Sequence, residues 1–187
     1  MAISKEKREE IRLKALKYYE KAHIYLTKEE KENLEIADMG LSRIDEFGIE
    51  IHIYINTKRY AAKEMVLLPG QICPEQCHPP FEGNIGKEET FRVRYGTLYV
   101  YTEGEPTPKE EICARIPKDK KDCFHVFHQL ILKKGQQFTV KPNTTHWICG
   151  GEEGCVVSEF STYNRDDLDI YTDPEIKRMD GVVYRED

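Results

Sequence analysis

Pro69-Gly70-Gln71-Ile72-Cys73-Pro74-Glu75-Gln76-Cys77-His78-Pro79-Pro80, then Gly86-Lys87-Glu88-Glu89-Thr90-Phe91-Arg92-Val93-Arg94-Tyr95-Gly96, is the stretch on which the reading of this 187-residue chain turns. Side chains alternate between faces in extended backbone, so Gln76 and His78 share one face and Cys77 takes the other. Glu89 is in phase with Phe91, Val93 and Tyr95 and therefore points inward with them. An inward carboxylate is costly unless something pairs with it, and a metal cation would supply that partner. A further run, Gly135-Gln136-Gln137-Phe138-Thr139-Val140-Lys141-Pro142-Asn143-Thr144-Thr145-His146-Trp147, reads as a strand, a Pro-Asn turn and a returning strand that opens near His146. Gln76, His78, Glu89 and His146 thus make an oxygen and nitrogen ligand set without thiolate. With positions left open for water or substrate, such a set suits Mn²⁺, Fe²⁺ or Co²⁺ better than a closed structural zinc.

The surrounding sequence is strand-rich. Ile49, Ile51, Ile53 and Ile55 alternate with Glu50, His52, Tyr54 and Asn56, the period-two pattern of a half-buried strand. Similar runs cover 62–68, 90–95, 97–102, 126–132, 136–140, 145–149 and 155–161. Turn signals punctuate them at Pro69-Gly70, Gly96, Gly104, Lys134-Gly135, Pro142-Asn143 and Gly150-Gly151. Eight or so short strands predict an all-β antiparallel jelly-roll barrel. Ahead of it, Ile11, Ala15, Tyr18, Tyr19 and Ala22 recur at helical spacing within 4–23, and Thr27 with Glu30 forms a capping box that opens a short helix. Residues 1–47 are therefore expected as a helical extension packed on the barrel, and 48–187 as the barrel with its C-terminal tail. The segment 103–122 reads as an inserted surface loop, and the acidic tail from Arg165 is expected along the surface.

Composition narrows the function. The chain carries 34 acidic and 28 basic side chains, a formal net charge of −6, with 39% hydrophobic residues. That is enough apolar material for a core, and the acidic balance disfavours nucleic acid as a partner. Apolar runs fall short of a membrane helix and the charged N-terminus lacks a signal-peptide pattern, which predicts a cytoplasmic protein with no membrane partner. Six cysteines are expected as free thiols.

The spacing Gly70-x5-Gln76-x-His78 … Glu89-x6-Gly96 resembles the first motif of the cupin superfamily, and Gly135 … Pro142-x3-His146 resembles the second. Gln76 stands where His is usual, and the gap between His78 and Glu89 is longer than usual. The chain further resembles the cupin-type D-lyxose isomerases over 26–41, 62–70, 86–91, the second motif, 157–162 and 169–174. That resemblance implies a double-stranded β-helix barrel, Mn²⁺ as cofactor (with Co²⁺, Fe²⁺ or Ni²⁺ as other divalent choices) and a homodimer. The implied activity is interconversion of D-lyxose and D-xylulose, extending to D-mannose and D-fructose, through a metal-bound cis-enediol.

Such a reaction needs a metal that polarises the carbonyl and a base placed over C1 and C2. Glu159, in the run 156–161, is the leading candidate for the base, although its strand face stays open from sequence. Lys87 shares the face of Glu89 and is placed to donate to a sugar oxygen. Lys63, Phe91, Trp147 and Asp169 are candidates for substrate binding, with Tyr95 as a further lining residue and core packing as the other role for Trp147. Alternation puts Lys63 and Glu64 on opposite faces, so the two are not expected to be buried together. Another metal-dependent cupin enzyme (a phosphosugar isomerase or dioxygenase) and a non-catalytic sugar-binding cupin are the competing readings.

Overall fold

Period-two runs become strands that are too long to stay flat, and the sheet closes on itself. A computed structural model describes residues 3–178. Helix α1 (Lys5–Lys21) and helix α2 (Lys28–Glu32) precede nine strands: β1 (Glu35–Ala37), β2 (Ile49–Asn56), β3 (Ala61–Leu67), β4 (Ile72–Cys77), β5 (Glu89–Thr102), β6 (His128–Lys133), β7 (Gln137–Val140), β8 (His146–Ser161) and β9 (Ile170–Tyr171). The strands are ordered β1-β2-β3-β8-β4-β9, and β5 pairs with β6, β7 and β8, all antiparallel.

Two strands hold the barrel together. β5 pairs with β7 through its first half, with β6 through its second and with β8 along nearly its whole length. The ladder slips at Val93/Tyr95 and again at Gly96/Leu98, which bends both strands. Gly96 sits at φ +70°, and a Cβ there would come within 2.0 Å of the Gly154 carbonyl oxygen, so glycine is required for the strands to cross this closely. Gly96 and Gly150-Gly151 thus lie inside long bent strands, whereas the sequence pattern marks them as turns.

The barrel interior is filled by Ile49, Ile51, Met65, Phe91, Val93, Leu98, Val100, Val140, Ile148 and Val157. Outside it, α1 buries Ile11, Ala15 and Tyr19 against Ile36, Ile44, Val66, Leu68 and Val156. The Tyr19 hydroxyl donates to the Glu64 carbonyl at 2.8 Å, tying helix to sheet. Ser4 caps α1, and the Thr27/Glu30 capping box opens α2 as expected. The extension is not purely helical, because β1 within it adds an edge strand to β2. All six cysteines are free.

The C-terminal tail departs most from expectation. It folds back over the barrel and does not trail along the surface. β9 pairs with β4, Thr172 Oγ1 donates to the Cys123 carbonyl at 2.6 Å, and Asp173 meets Lys120 at 2.7 Å with both side chains buried. The inserted loop is held down by that same Lys120, which also meets Glu175 at 2.6 Å. Residues 179–187 of the expected tail lie outside the described residues.

Glu50, on β2, is fully buried beneath the α1 side of the sheet. Gln71 Nε2 donates to its Oε1 at 3.0 Å, while Oε2 has no partner. Burial pushes its carboxyl up to about 8 from an ordinary 4.5. The folded state therefore holds a proton that the unfolded chain releases, and stability falls as pH rises through the interval from about 4.5 to about 8. Urea unfolding at pH 5.5 and pH 8.5 is expected to show wild type losing about 2–4 kcal/mol more across that interval than Glu50→Gln, at roughly 1.4 kcal/mol per pH unit.

Candidate active site and metal centre

The curl of the sheet assembles one buried charged cluster. Along the β5–β8 ladder Glu89 pairs with Ser161 and His146 with Thr102, which are opposite ends of the same strand pair. Barrel closure nevertheless brings His146 Nε2 to 2.8 Å from Glu89 Oε1. His78, just past β4, places its own Nε2 at 3.2 Å from the same oxygen. Gln76 on β4 pairs in register with His146 and lines a cavity together with His78 and Glu89. A register shift between Cys73 and Gln76 turns both side chains into that cavity despite their odd spacing.

These donors fit a divalent metal on three counts. Ligand atoms of His78, Glu89 and His146 lie within 4.8 Å of one another, and all three residues are buried. Both imidazoles are oriented through Nδ1: His78 faces Asp169 Oδ1 at 2.5 Å, and His146 faces the Thr144 carbonyl at 2.9 Å. A carbonyl can only accept, so Nδ1 of His146 carries a proton, and Nε2 is the ring atom that a metal would use. His146 Nε2 and Gln76 Oε1 are both buried without a hydrogen-bond partner, a shortfall that a bound cation would make good.

Electrostatics agree. Burial would raise the Glu89 carboxyl, but Lys87 and His78 outweigh it and hold the group well below the usual carboxylate range. Burial and Lys87 push the His78 imidazolium down, while Glu89 and the Asp169 hydrogen bond set it at about 9, so this field favours positive charge. Lys87 Nζ lies 2.5 Å from Glu89 Oε2 and 2.9 Å from Glu159 Oε1. Lys63 Nζ lies 3.7 Å from Glu159 and 3.6 Å from Asp166, and Arg178 joins Asp166 to Glu35. In this connected set five carboxylates (Glu35, Glu89, Glu159, Asp166 and Asp169) face three permanent cations (Lys63, Lys87 and Arg178). A divalent cation would balance the excess.

A model of the D-lyxose isomerase family matches residues 30–187. The chain belongs to that family. A D-lyxose ketol-isomerase of Thermofilum sp. (strain ex4484_79) is 49% identical over 181 residues, covering 97% of this chain and 99% of the relative. A D-lyxose/D-mannose isomerase of Thermosediminibacter oceani is 50% identical over 180 residues, covering 96% and 98%. Among solved structures, the L-ribose isomerase of Acinetobacter sp. DL28 in complex with L-ribose aligns with a TM-score of 0.76 at 15% identity over 94% of both chains, which establishes a shared cupin fold.

In this sugar isomerase the cavity brings together Gln76, His78, Glu89, Lys87, Glu159, Lys63, Phe91 and Asp169. Glu159 faces inward, directly across β3–β8 from Lys63. Lys63 and Glu64 are both buried after all. Lys63 joins the interior network, and Glu64 on the other face accepts from Ser158 Oγ at 2.8 Å. Trp147 is not at the cavity: it stacks on Tyr101 at 3.7 Å and packs with Phe124 in a separate cluster, with Nε1 donating to the Val126 carbonyl. Tyr95 packs edge-on against Tyr18 of α1, outside the barrel. Sequence reasoning missed Cys73, Asp166, Tyr171 and Arg178, all of which line the cavity. Three of these come from the tail, where a run of acids without periodicity carries no sign that it returns over the barrel.

Asp169 fixes the ring of His78, and such a partner is typically worth 10–100-fold in metal affinity. Calorimetric titration of Mn²⁺ into metal-stripped Asp169→Ala is expected to show binding weaker by about that factor.

Proposed function

We propose that this isomerase interconverts D-lyxose and D-xylulose, and D-mannose and D-fructose through the same arrangement at C2 and C3, with Mn²⁺ held by Gln76, His78, Glu89 and His146. One observation carries the reading: the metal-ligating triad lies directly against the buried Lys87–Glu159 pair, so cation and proton-transfer groups share one cavity. The sugar names come from the relatives, and the donor set of imidazole, carboxylate and amide oxygen supports Mn²⁺. An ion held by these residues would supply Lewis-acid polarisation of the sugar carbonyl.

The protein groups divide the remaining work. Glu159 takes the C2 hydrogen as a proton and delivers it to C1, while the hydroxyl proton passes from O2 to O1. Lys87 stays a cation: burial would lower its pKa, but Glu159 and Glu89 hold it well above the ordinary lysine value. It therefore acts as a hydrogen-bond donor to oxygen charge that develops beside it and does not act as a base. Lys63 approaches the same Glu159 oxygen as Lys87, at 3.7 Å, and Asp166 pairs with Lys63 in turn. Phe91 supplies an apolar wall, and Asp169 orients His78 at the edge where sugar hydroxyls would lie.

Metal-stripped protein is expected to leave D-lyxose unconverted until Mn²⁺ is restored. Glu159→Gln is expected to lower kcat by about 10²–10⁴ with little change in KM. Deuterium from solvent at C1 of the ketose, or at C2 of the aldose formed in the reverse direction, supports proton transfer, and its complete absence supports a hydride shift. Failure to convert D-lyxose with any of Mn²⁺, Co²⁺, Fe²⁺ or Ni²⁺ would overturn the assignment.

A cytoplasmic homodimer completes the proposal. Free thiols, including the exposed Cys113, suit a reducing compartment, and the exposed Tyr54 and Phe160 suit a covered surface. Light scattering after gel filtration is expected to give twice the 21.9 kDa chain mass.

A further inference from the structure

The loop that lengthens the gap between His78 and Glu89 has no part in the chemistry above, yet it ends against the site. Residues 81–84 form a tight hairpin: Phe81 and Asn84 exchange backbone hydrogen bonds at 3.1 and 2.7 Å, with Glu82 and Gly83 both at positive φ. Its base is clamped to the metal side. A Cβ on Gly86 would come within 2.4 Å of the His78 carbonyl oxygen, so the loop lies flush on that ligand's backbone. The turn holds Phe81 under two groups from the segment after β8: Tyr163, ring centroids 5.6 Å apart, and the Arg165 guanidinium at 5.7 Å.

Phe81 is also a partition. On its inner side a pocket of only about 10 Å³ touches His78, Lys87 and Asp169, the same residues that wall the central cavity. On its outer side lies a vestibule of about 200 Å³, lined by Lys58, Arg59, Asn84 and Thr162. The central cavity itself holds about 40 Å³, room for about three waters, which is well short of a pentose. Its floor is packed Ile49, Ile51, Met65 and Ile148, and its roof is the ion-paired Asp166 and Arg178. The small pocket shares His78, Lys87 and Asp169 with that cavity and Phe81 with the vestibule, so the ring lies between the two spaces.

We propose that Phe81 is a specificity-determining residue of this isomerase: its ring closes on the end of the sugar remote from C1 and C2 and sets the chain length that the site accepts. This rests on the assignment of D-lyxose as substrate. D-Mannose repeats the C2, C3 and C4 configuration of D-lyxose and adds one carbon, so that carbon meets the ring of Phe81 first. Shortening the ring opens the vestibule to it, and a site gains or loses about 10–200-fold in discrimination from one such group.

The test compares kcat/KM for the two aldoses in Mn²⁺-loaded wild type, Phe81→Ala, Phe81→Leu and Phe81→Trp. It also compares calorimetric Kd values for D-mannitol and D-arabinitol, the non-reacting alditols of the two sugars. Phe81→Ala is expected to raise the D-mannose to D-lyxose ratio about tenfold, Phe81→Leu to raise it less and Phe81→Trp to lower it, with the alditol Kd values moving in the same sense. Ratios that stay within about twofold of wild type in the folded variants overturn the proposal, as does an equal change for both sugars, which would make Phe81 a gate without selectivity. If Phe81→Ala does not fold, Phe81→Leu carries the same comparison. A wild type that converts neither sugar overturns the substrate assignment instead, and the alditol Kd ratios still decide the role of Phe81.

Discussion

Lys87 sits in the barrel interior with one carboxylate on each side, Glu89 at 2.5 Å and Glu159 at 2.9 Å, and the site is organised by that arrangement. None of the three could be buried alone, because an isolated charge in an apolar interior costs several kcal/mol even after relaxation. Together they neutralise one another only in part, and the remainder is passed outward through Lys63, Asp166 and Arg178. The cluster ends at the His78–Asp169 pair and at His146 and Gln76, whose Nε2 and Oε1 are buried without a hydrogen-bond partner. The donors that fit a metal and the groups proposed for proton transfer are thus parts of one electrostatic unit.

The scaffold serves that unit by bending two strands. β5 and β8 each cross from one side of the barrel to the other, and a single ladder delivers Glu89 and Glu159 from one end and His146 from the other. The close passage at Gly96 and Gly154 makes the crossing possible. The helices stay outside and contribute burial through Ile11, Ala15 and Tyr19. The tail adds the roof, and with it Asp166, Asp169, Tyr171 and Arg178.

Much of this was legible in the chain. Strand alternation is strictly local, so the phase of Glu89 with Phe91 and Val93 and the shared face with Lys87 follow from spacing alone. Other features resisted because the deciding partner is remote in sequence. The face of Glu159 depends on its register with Lys63, and Trp147 is buried because Tyr101 and Phe124 arrive from distant segments. Lys63 and Glu64 defeat a one-sided reading of alternation because both faces of β3 are covered, one by the charged network and the other by α1, where Glu64 accepts from its cross-strand neighbour Ser158.

The sequence by itself determined an acidic barrel-forming chain with helical additions, the four oxygen and nitrogen donors, the shared face of Gln76 and His78 and the inward phase of Glu89, since these rest on side-chain chemistry and the two-residue period of extended backbone. Only the tertiary structure decided which donors meet, that Lys87 bridges Glu89 to Glu159, and that the tail roofs the cavity while the hairpin carrying Phe81 lines the small pocket beside it. Those outcomes depend on where the long strands bend and on which remote charges neutralise one another, and such couplings leave no periodic trace along a chain.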